Sequence, residues 1–199
     1  MEITIRTADL GDAEKLAAIY AYYVKNTSLT FEYDVPSVSE FRERIRRTRE
    51  HYPYLVAEEA DEIIGYAYAG RFQPRAAYAW NAEMSIYLKH GVQRRGIGRQ
   101  LYTRMEEILK EQGIVKTIAV ITMPVDEYSD FNSVPFHEKM GYAHAGRIEN
   151  CGFKFHRWYT TLGGIQRSIW ISRSVCRRNR WNPSRILMRC GIHSVCDSA

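Results

Sequence analysis

The 199-residue sequence lacks the features that mark secreted, membrane and zinc-binding proteins. It begins MEITIRTADLGDAEK, with no apolar segment behind a basic head, and no apolar run approaches the roughly 18 residues that span a bilayer. Cysteine is scarce, and the spacings of 14 and 6 between Cys176, Cys190 and Cys196 match no familiar zinc pattern. These absences predict a cytoplasmic protein with no disulfide framework, no metal site and no membrane contact.

The composition that remains is typical of one globular domain followed by an unusual tail. Hydrophobic residues make up 45% of the chain, and its 14 tyrosines suit buried surfaces whose polar tips line a cleft. The net charge of +5 is unevenly distributed, because residues 162–199 hold seven of the 28 basic residues and one of the 23 acidic residues. We therefore predict a folded domain over residues 1–161 and an atypical basic tail over residues 162–199.

Hydrophobic periodicity predicts alternating strands and helices. Residues 2–6 and 82–88 alternate as strands, residues 54–59 and 62–70 form a hairpin, and residues 115–122 form a buried strand. Apolar stripes at helical spacing are Leu16/Ile19/Tyr20/Tyr23, Phe41/Ile45 and Ile97/Leu101/Met105/Ile108. A short helix, SVPFHEKM, and one or two closing strands complete the order β-α-α-β-β-β-α-β-α-β. That order predicts an α/β sandwich around a mixed sheet.

The most informative local pattern is VQRRGIGRQLYTRM, residues 92–105, in which two glycines stand among arginines at the start of a predicted helix. A helix start leaves backbone N–H groups without partners and carries partial positive charge. Gly96 and Gly98 allow positive φ and a close approach of the backbone to a ligand, while the arginines add countercharge. The pattern predicts a phosphate or pyrophosphate site.

Spacing alone leaves a second interpretation open, a tight strand-to-helix turn whose arginines are simply solvated. A Walker loop is excluded because GxxxxGK[ST] is absent, and a dinucleotide-binding loop would need a third glycine where Leu101 stands. The loop by itself therefore indicates an anion site without identifying the anion.

Two motifs and several flanking segments resemble the GNAT superfamily of N-acetyltransferases. QRRGIG, residues 93–98, matches the superfamily's [QR]xxGx[GA] motif for the pyrophosphate of acetyl-coenzyme A, and SVPFHEKMGY is similar to its second signature. IYAYYVKNTSLTFEYDVPS, HYPYLVAEEADEIIGYAYAG and AYAWNAEMSIYL resemble the phosphinothricin acetyltransferase branch, over roughly residues 3–159. The resemblance implies an α/β fold with a mixed, mostly antiparallel sheet, a central splay and about four flanking helices.

The resemblance also implies acetyl-coenzyme A as co-substrate, a small-molecule amine as acceptor and a homodimer. Strand 82–88 would offer backbone N–H groups near Tyr87 and Leu88 to the thioester carbonyl, and the pantetheine arm would enter where this strand splays from the next. Asp130 replaces the asparagine that the superfamily has seven residues before the position of His137, and the nearby Asn132 is a candidate substitute. The residues expected to bind the co-substrate are Ile86, Tyr87, Leu88, Gln93, Arg94, Arg95, Gly96, Ile97, Gly98, Arg99 and Asn132.

Glu83 is the predicted general base. It is the only carboxylate in an otherwise apolar and hydroxylic strand, where desolvation would raise its pKa. The residues alone leave open a solvated glutamate or one paired with a basic side chain. The resemblance favours catalysis, since the glutamate of the corresponding AES motif is the proposed base in the phosphinothricin branch and AEMS, residues 82–85, carries it here.

His137 is the second predicted catalytic residue. Histidine transfers protons in either direction near neutral pH, although a lone helical histidine is usually structural. The superfamily often has a tyrosine here that protonates the leaving thiolate, and the phosphinothricin branch has histidine before glutamate, as in His137-Glu138. The roles of acid, co-base and substrate contact all stay open.

Phe31, Arg75 and Tyr78 are the residues that the resemblance assigns to the acceptor. Arg75 could bind a carboxylate or phosphinate bidentately, and Phe31 could form an apolar wall. A solvated loop arginine is the competing interpretation of Arg75. The acceptors implied are small amino acids with oxidised side chains, such as phosphinothricin, methionine sulfone or methionine sulfoximine.

Two other functions compete with acetyl transfer. The first is a catalytically weak acyl-coenzyme A-binding module on the same scaffold. The second is nucleic-acid binding through the tail segment RRNRWNPSR, with Trp181 stacking on bases, which ranks below the other two because basic tails are often solvated arms. The tail itself is either the product of a frameshift or read-through, or a genuine basic extension.

Overall fold

The computed structural model describes residues 2–129 and 133–168, with the backbone alone for residues 163–168. Four helices span α1 (Ala13–Asn26), α2 (Val38–Arg49), α3 (Ile97–Glu111) and α4 (Val134–Lys139). Eight strands span β1 (Thr4–Thr7), β2 (Tyr54–Glu59), β3 (Glu62–Arg71), β4 (Asn81–Leu88), β5 (Lys116–Thr122), β6 (Ala143–His144), β7 (Ile148–Lys154) and β8 (Arg157–Ser168). Three short 3₁₀ helices lie at Leu10–Asp12, Ala76–Tyr78 and Glu127–Ser129. The predicted order of elements is confirmed as far as α4.

The strands form one sheet in the order β1-β2-β3-β4-β5-β8-β6, with β7 paired to β8. In the described part of the chain, every strand pair is antiparallel except β4 and β5. Three closing strands follow α4, one more than the upper limit of the prediction. β8 returns between β5 and β6, a long-range pairing that no local pattern reveals.

The sheet opens at its centre, between β4 and β5. These strands pair only from Asn81↔Lys116 to Glu83↔Ile118, although β4 continues to Leu88 and β5 to Thr122. The last pair thus forms the vertex of a widening gap. The predicted mostly antiparallel sheet with a central splay and four flanking helices is confirmed.

Two cores cover the two faces of the sheet. On one face, the apolar side of α3 packs on β4 through Leu101, Met105 and Met84. The other face carries α1 and α2, whose Tyr20, Tyr23, Phe41 and Ile45 pack against strand tyrosines. The predicted α3 stripe is confirmed at Ile97, Leu101 and Met105, whereas Ile108 is only partly buried and Leu109 takes the fourth position.

The helices begin and end where short-range chemistry predicts. Asp9 and Asp12 form a capping box before α1, and the Ser37 hydroxyl accepts the Glu40 N–H at the start of α2. Gly113 adopts a φ of +83° directly after α3, as a C-terminal glycine should.

The end of the described chain lies inside the sheet. β8 pairs with β5 as far as Lys116↔Ser168, so residues 162–168 of the predicted tail belong to a strand. Residues 169–199, which include RRNRWNPSR and Trp181, lie outside the described residues. A membrane-crossing helix, which would have to be long and apolar, does not occur within the described ranges.

Candidate active site

Glu83 lies at the vertex of the splay, on the last residue at which β4 pairs with β5. Alternation along β4 turns Ala82 and Met84 into the α3 core and turns Glu83 to the opposite face, towards the tyrosine-lined core. The Glu83 side chain is half-buried, and burial raises the pKa of its carboxyl above the ordinary 4.5. The raised pKa predicted from the sequence is present.

The N–H groups of β4 alternate between β3 and the gap. Lys89 N–H donates to the Ile64 carbonyl at 2.9 Å, so the alternation of an antiparallel ladder assigns the Tyr87 N–H to β3 as well. The N–H groups of Ile86 and Leu88 then point to the side from which β5 has diverged. Ile86 therefore fits the oxyanion role that the sequence analysis placed near Tyr87 and Leu88.

The Leu88 end of β4 is held by a tyrosine from α1. The Tyr23 hydroxyl donates to the Leu88 carbonyl at 2.7 Å and accepts the Leu88 N–H at 3.2 Å. The Gln93 Oε1 accepts the Gly91 N–H at 3.0 Å, within the loop itself. Tyr23 therefore fixes the open end of β4, and Gln93 stabilises the start of the glycine loop.

The glycine loop places the N-terminus of α3 beside the open end of β4. Gly96 is the N-cap of α3 with a φ of +79° and no side-chain cap, and its carbonyl accepts the Gln100 N–H at 3.1 Å. The preceding three N–H groups, those of residues 97–99, are the ones that a helix start leaves for a ligand. This geometry is that of an anion site.

Gly98 serves a different purpose from Gly96. It lies within α3, and a Cβ there would stand 3.2 Å from the Phe136 ring and 3.4 Å from Ile86. Gly98 therefore permits close packing of α3 against α4 and β4, whereas only Gly96 uses positive φ. The Ile97 side chain is buried, so this residue offers a ligand its backbone N–H alone.

One of the loop arginines is already paired. Arg95 makes a two-pronged ion pair with Glu59 at the end of β2, with N–O distances of 2.5 and 2.9 Å. The Arg95 guanidinium lowers the pKa of the Glu59 carboxyl. Arg94, at a φ of +65°, and Arg99 are exposed at the loop. Arg95 thus fastens the loop to the sheet, and Arg94 and Arg99 are better placed to provide countercharge.

His137 is buried, with 3% of its surface exposed. Its Nδ1 lies 2.8 Å from the Ser133 carbonyl, which can only accept, so Nδ1 carries the proton and Nε2 accepts from the Tyr102 hydroxyl at 3.0 Å. Burial lowers the pKa of His137, which keeps the ring neutral. The His137 ring lies on the α3 side of the sheet, opposite the face to which Glu83 turns.

The predicted acceptor residues lie on two loops. Phe31 follows α1 and packs beside Tyr159, with ring centroids 6.3 Å apart. Arg75 and Tyr78 lie exposed in the β3–β4 connection, where Tyr78 contacts Phe72 edge-on at 5.9 Å. Among the described residues, no hydrogen bond or ring contact joins these three to one another. Asn132 lies outside the described residues.

Sequence reasoning missed the residues that position this site. The sequence predicted Tyr23 only as a core residue of the first helix. It assigned no role to Tyr102, Gly152 or Lys154. A tyrosine at a helix stripe gives no sign of where its hydroxyl bonds. The one available signal was that Gly152 and Lys154 are two apart in a strand and so share a face. In the described ranges, no group of three or more His, Cys, Asp or Glu side chains is arranged to hold a metal.

Known proteins with this architecture are acetyltransferases. The GNAT acetyltransferase domain matches residues 5–162. The phosphinothricin N-acetyltransferase of Streptomyces viridochromogenes is 32% identical over 157 residues, which is 79% of this chain and 83% of that protein. The L-methionine sulfoximine/L-methionine sulfone acetyltransferase of Pseudomonas aeruginosa is 31% identical over 160 residues, covering 79% and 90% of the two chains.

A solved structure agrees with these similarities. The crystal structure of a phosphinothricin acetyltransferase from Sinorhizobium meliloti, in complex with acetyl-coenzyme A, aligns with a TM-score of 0.78 at 32% identity, over 87% of this chain and 92% of that one. The family match covers most of the chain, including β4, the glycine loop and α4. The chain therefore belongs to the GNAT acetyltransferase family and is an N-acetyltransferase.

Proposed function

We propose that the protein transfers the acetyl group of acetyl-coenzyme A directly to the amino group of a small amino acid-like acceptor. The observation that carries this proposal is the position of Glu83 at the vertex of the splay, half-buried and with a raised pKa. A carboxylate with a raised pKa is a better proton acceptor at neutral pH than a solvated one. Glu83 is therefore the general base, through a water where the amine does not reach it directly.

The proposed reaction transfers the acetyl group from the thioester sulfur to the amine nitrogen. The neutral amine nitrogen attacks the thioester carbonyl carbon, a C–N bond forms and the C–S bond breaks. Glu83 takes the proton that the amine loses and then releases it to solvent, while the departing thiolate takes a proton from water, so the products are the amide and the free thiol. The Ile86 N–H, on the open side of β4, is placed to stabilise the oxygen that becomes negative during attack.

The glycine loop is the proposed binding site for the pyrophosphate of acetyl-coenzyme A. The N–H groups that the start of α3 leaves without helical partners can donate to an anion, and the exposed Arg94 and Arg99 can supply charge. Arg95 holds the loop in place through Glu59, and Gln93 bonds the loop backbone at Gly91. Asn132 is retained as a candidate contact.

For His137, the geometry supports a positioning role. Its two ring nitrogens bond Ser133 and Tyr102, which ties α4 to α3 beside the glycine loop. The resemblance leaves a role as acid, co-base or substrate contact open, and any proton transfer by His137 would have to involve the Tyr102 hydroxyl bonded to Nε2. The two roles are separated by the Tyr102→Phe variant described in the Discussion.

The acceptor is inferred from the relatives and from side-chain chemistry. The similar proteins act on phosphinothricin or on methionine sulfoximine and sulfone, as their names state. Arg75 suits their anionic or strongly polar groups, and Phe31 with Tyr78 supplies apolar and aromatic surface. We propose the same substrate class here.

A thiol-release assay tests this proposal. Purified protein is given acetyl-coenzyme A and, in turn, phosphinothricin, methionine sulfone, methionine sulfoximine and unmodified amino acids. We expect release of free thiol with at least one oxidised amino acid. Calorimetric binding of acetyl-coenzyme A without thiol release for any amine would favour the acyl-coenzyme A-binding module instead.

Two further expectations are proposals about the whole protein. Homodimer formation is supported by exposed apolar side chains clustered on the β7–β8 hairpin, where Phe153 and Trp158 lie 5.2 Å apart and are 42% and 60% exposed. Light scattering during size-exclusion chromatography distinguishes dimer from monomer. A cytoplasmic location is the second expectation, and cell fractionation tests it.

A further inference from the structure

The loop that carries Phe31 has no regular structure of its own. It runs over residues 27–32, TSLTFE, between α1 and α2, and we call it the acceptor loop. Its backbone groups cannot be satisfied within a helix or strand, so they need partners elsewhere. The position of Phe31 therefore depends on side chains outside the loop.

Lys154, the last residue of β7, supplies two of these partners. Its ammonium donates to the Thr27 carbonyl and to the Thr30 carbonyl, both at 2.8 Å. Only 3% of the Lys154 surface is exposed. The two carbonyls bracket the start of the acceptor loop, and Thr30 directly precedes Phe31.

A lysine in this position is not explained by stability alone. Burial lowers the pKa of Lys154 to about 8, with a smaller opposing effect from the Glu32 carboxylate. A buried cation whose partners are neutral carbonyls is costly, and an apolar side chain would fill the same space without that penalty. Unlike an apolar side chain, the Lys154 ammonium fixes the positions of the Thr27 and Thr30 carbonyls.

Gly152, two residues earlier on the same face of β7, makes room for Phe31. A Cβ at Gly152 would stand 2.2–2.5 Å from three atoms of the Phe31 ring, so a larger residue would displace it. Phe31 also packs beside Tyr159, which is opposite Gly152 in the β7–β8 register. One face of β7 thus supports Phe31 and anchors its loop.

We propose that Lys154 is a positioning residue for the acceptor pocket, because it fixes the acceptor loop so that Phe31 lies over Gly152 and sets the space for the acceptor's side chain. This inference rests on the proposed acetyl transfer to a small amino acid-like acceptor. It adds to that function the element that determines which acceptor side chains fit.

The loop has other anchors, so removal of the Lys154 ammonium should leave the protein folded. The Thr122 hydroxyl donates to the Ser28 carbonyl at 2.8 Å, and the Ser28 N–H donates to the Tyr128 carbonyl at 2.9 Å. The Tyr20 and Thr30 hydroxyls bond each other at 2.6 Å. These contacts hold Ser28 and the Thr30 side chain but do not replace the partners of the two carbonyls.

The test compares Lys154→Met with Lys25→Met, a change of an exposed lysine at the end of α1. Hydrogen exchange of residues 29–32 is expected to accelerate in Lys154→Met and to match wild type in Lys25→Met. Well below the melting temperature, the acceptor KM of Lys154→Met is expected to rise about tenfold, while the KM for acetyl-coenzyme A stays within about twofold.

Unchanged loop exchange together with an unchanged acceptor KM would overturn the proposal. An equal rise in both KM values would also overturn it, since general destabilisation does not discriminate between substrates. If wild type acetylates none of the acceptors, the proposed function fails instead. The exchange measurement still decides whether Lys154 orders the loop, so the two failures are distinguishable.

Discussion

At the scale of single residues, Glu83 shows how a catalytic group costs stability. Burial raises the pKa of its carboxyl above 4.5, so the folded protein holds a proton that the unfolded chain releases between 4.5 and the raised value. Folding stability therefore falls as pH rises through this window, and the full penalty applies at neutral pH. A neutral side chain of the same shape carries no such penalty.

We predict that Glu83→Gln is at least as stable as wild type at pH 7, and that the difference shrinks as pH falls to 4.5. Urea denaturation at several pH values measures this difference. Glu14→Gln, a change on the exposed side of α1, is the matched control for replacing a glutamate by glutamine. A Glu83→Gln variant that is markedly less stable at pH 7 would mean that the carboxylate has a stabilising partner.

Tyr102→Phe separates the two roles of His137. The change leaves Nε2 of a buried, neutral histidine without its donor, so unfolding should become easier by about 1–3 kcal/mol. We expect kcat, measured well below the melting temperature, to stay within about threefold of wild type, because a positioning contact does not transfer the proton.

Tyr33→Phe is the control for this measurement, since its exposed hydroxyl bonds only the Phe153 carbonyl among the described contacts. If Tyr102→Phe instead keeps its stability and loses turnover by about a hundredfold, the Tyr102–His137 pair takes part in proton transfer and does more than position the site.

At the scale of elements, the site depends on how β4 meets α3. Tyr23 bonds both backbone groups of Leu88, so one hydroxyl fixes the end of the strand that leads into the glycine loop. We predict that Tyr23→Phe weakens acetyl-coenzyme A binding by about threefold to tenfold, with a smaller effect on the acceptor KM. Isothermal titration calorimetry measures the co-substrate, with Tyr33→Phe as control. Unchanged co-substrate affinity would show that the loop is held without Tyr23.

The sequence was sufficient for elements whose signals are local. Apolar spacing and capping residues such as Ser37 and Gly113 predicted the helices, because these interactions join residues a few positions apart. It was insufficient for pairings between distant segments, such as the insertion of β8 beside β5 or the division of the closing segment into three strands. Register across a sheet is decided by the whole core.

The same distinction applies to the site. Glu83 was predictable because a carboxylate in an apolar strand is conspicuous by itself. The burial of the Lys154 side chain was not predictable. Charged residues in a segment such as GFKFHRW are usually solvated, and no local pattern shows that two loop carbonyls lie within reach of the Lys154 ammonium. The engagement of both His137 nitrogens likewise depends on where α3 places Tyr102.

At the scale of the whole molecule, the proposed site draws on three distant pieces of chain. β4 contributes Glu83, the loop before α3 contributes the candidate anion site, and the acceptor loop is tied to the end of β5 through Thr122 and to β7 through Lys154. The predicted domain boundary at residue 161 falls inside β8, which pairs as far as Ser168. The predicted basic tail beyond that strand remains a prediction, and a change in activity after its removal would test it.

The central claim is that Glu83 accepts the amine proton at the vertex of the splay. The most direct measurement is the pH dependence of acceptor kcat/KM by thiol release for wild type and Glu83→Gln, with acetyl-coenzyme A affinity measured in parallel. We predict that wild-type kcat/KM falls as pH falls through the raised pKa of Glu83, and that Glu83→Gln loses about a hundredfold or more while co-substrate affinity is kept. Glu83→Gln turnover equal to that of wild type, with the same pH profile, would contradict the account.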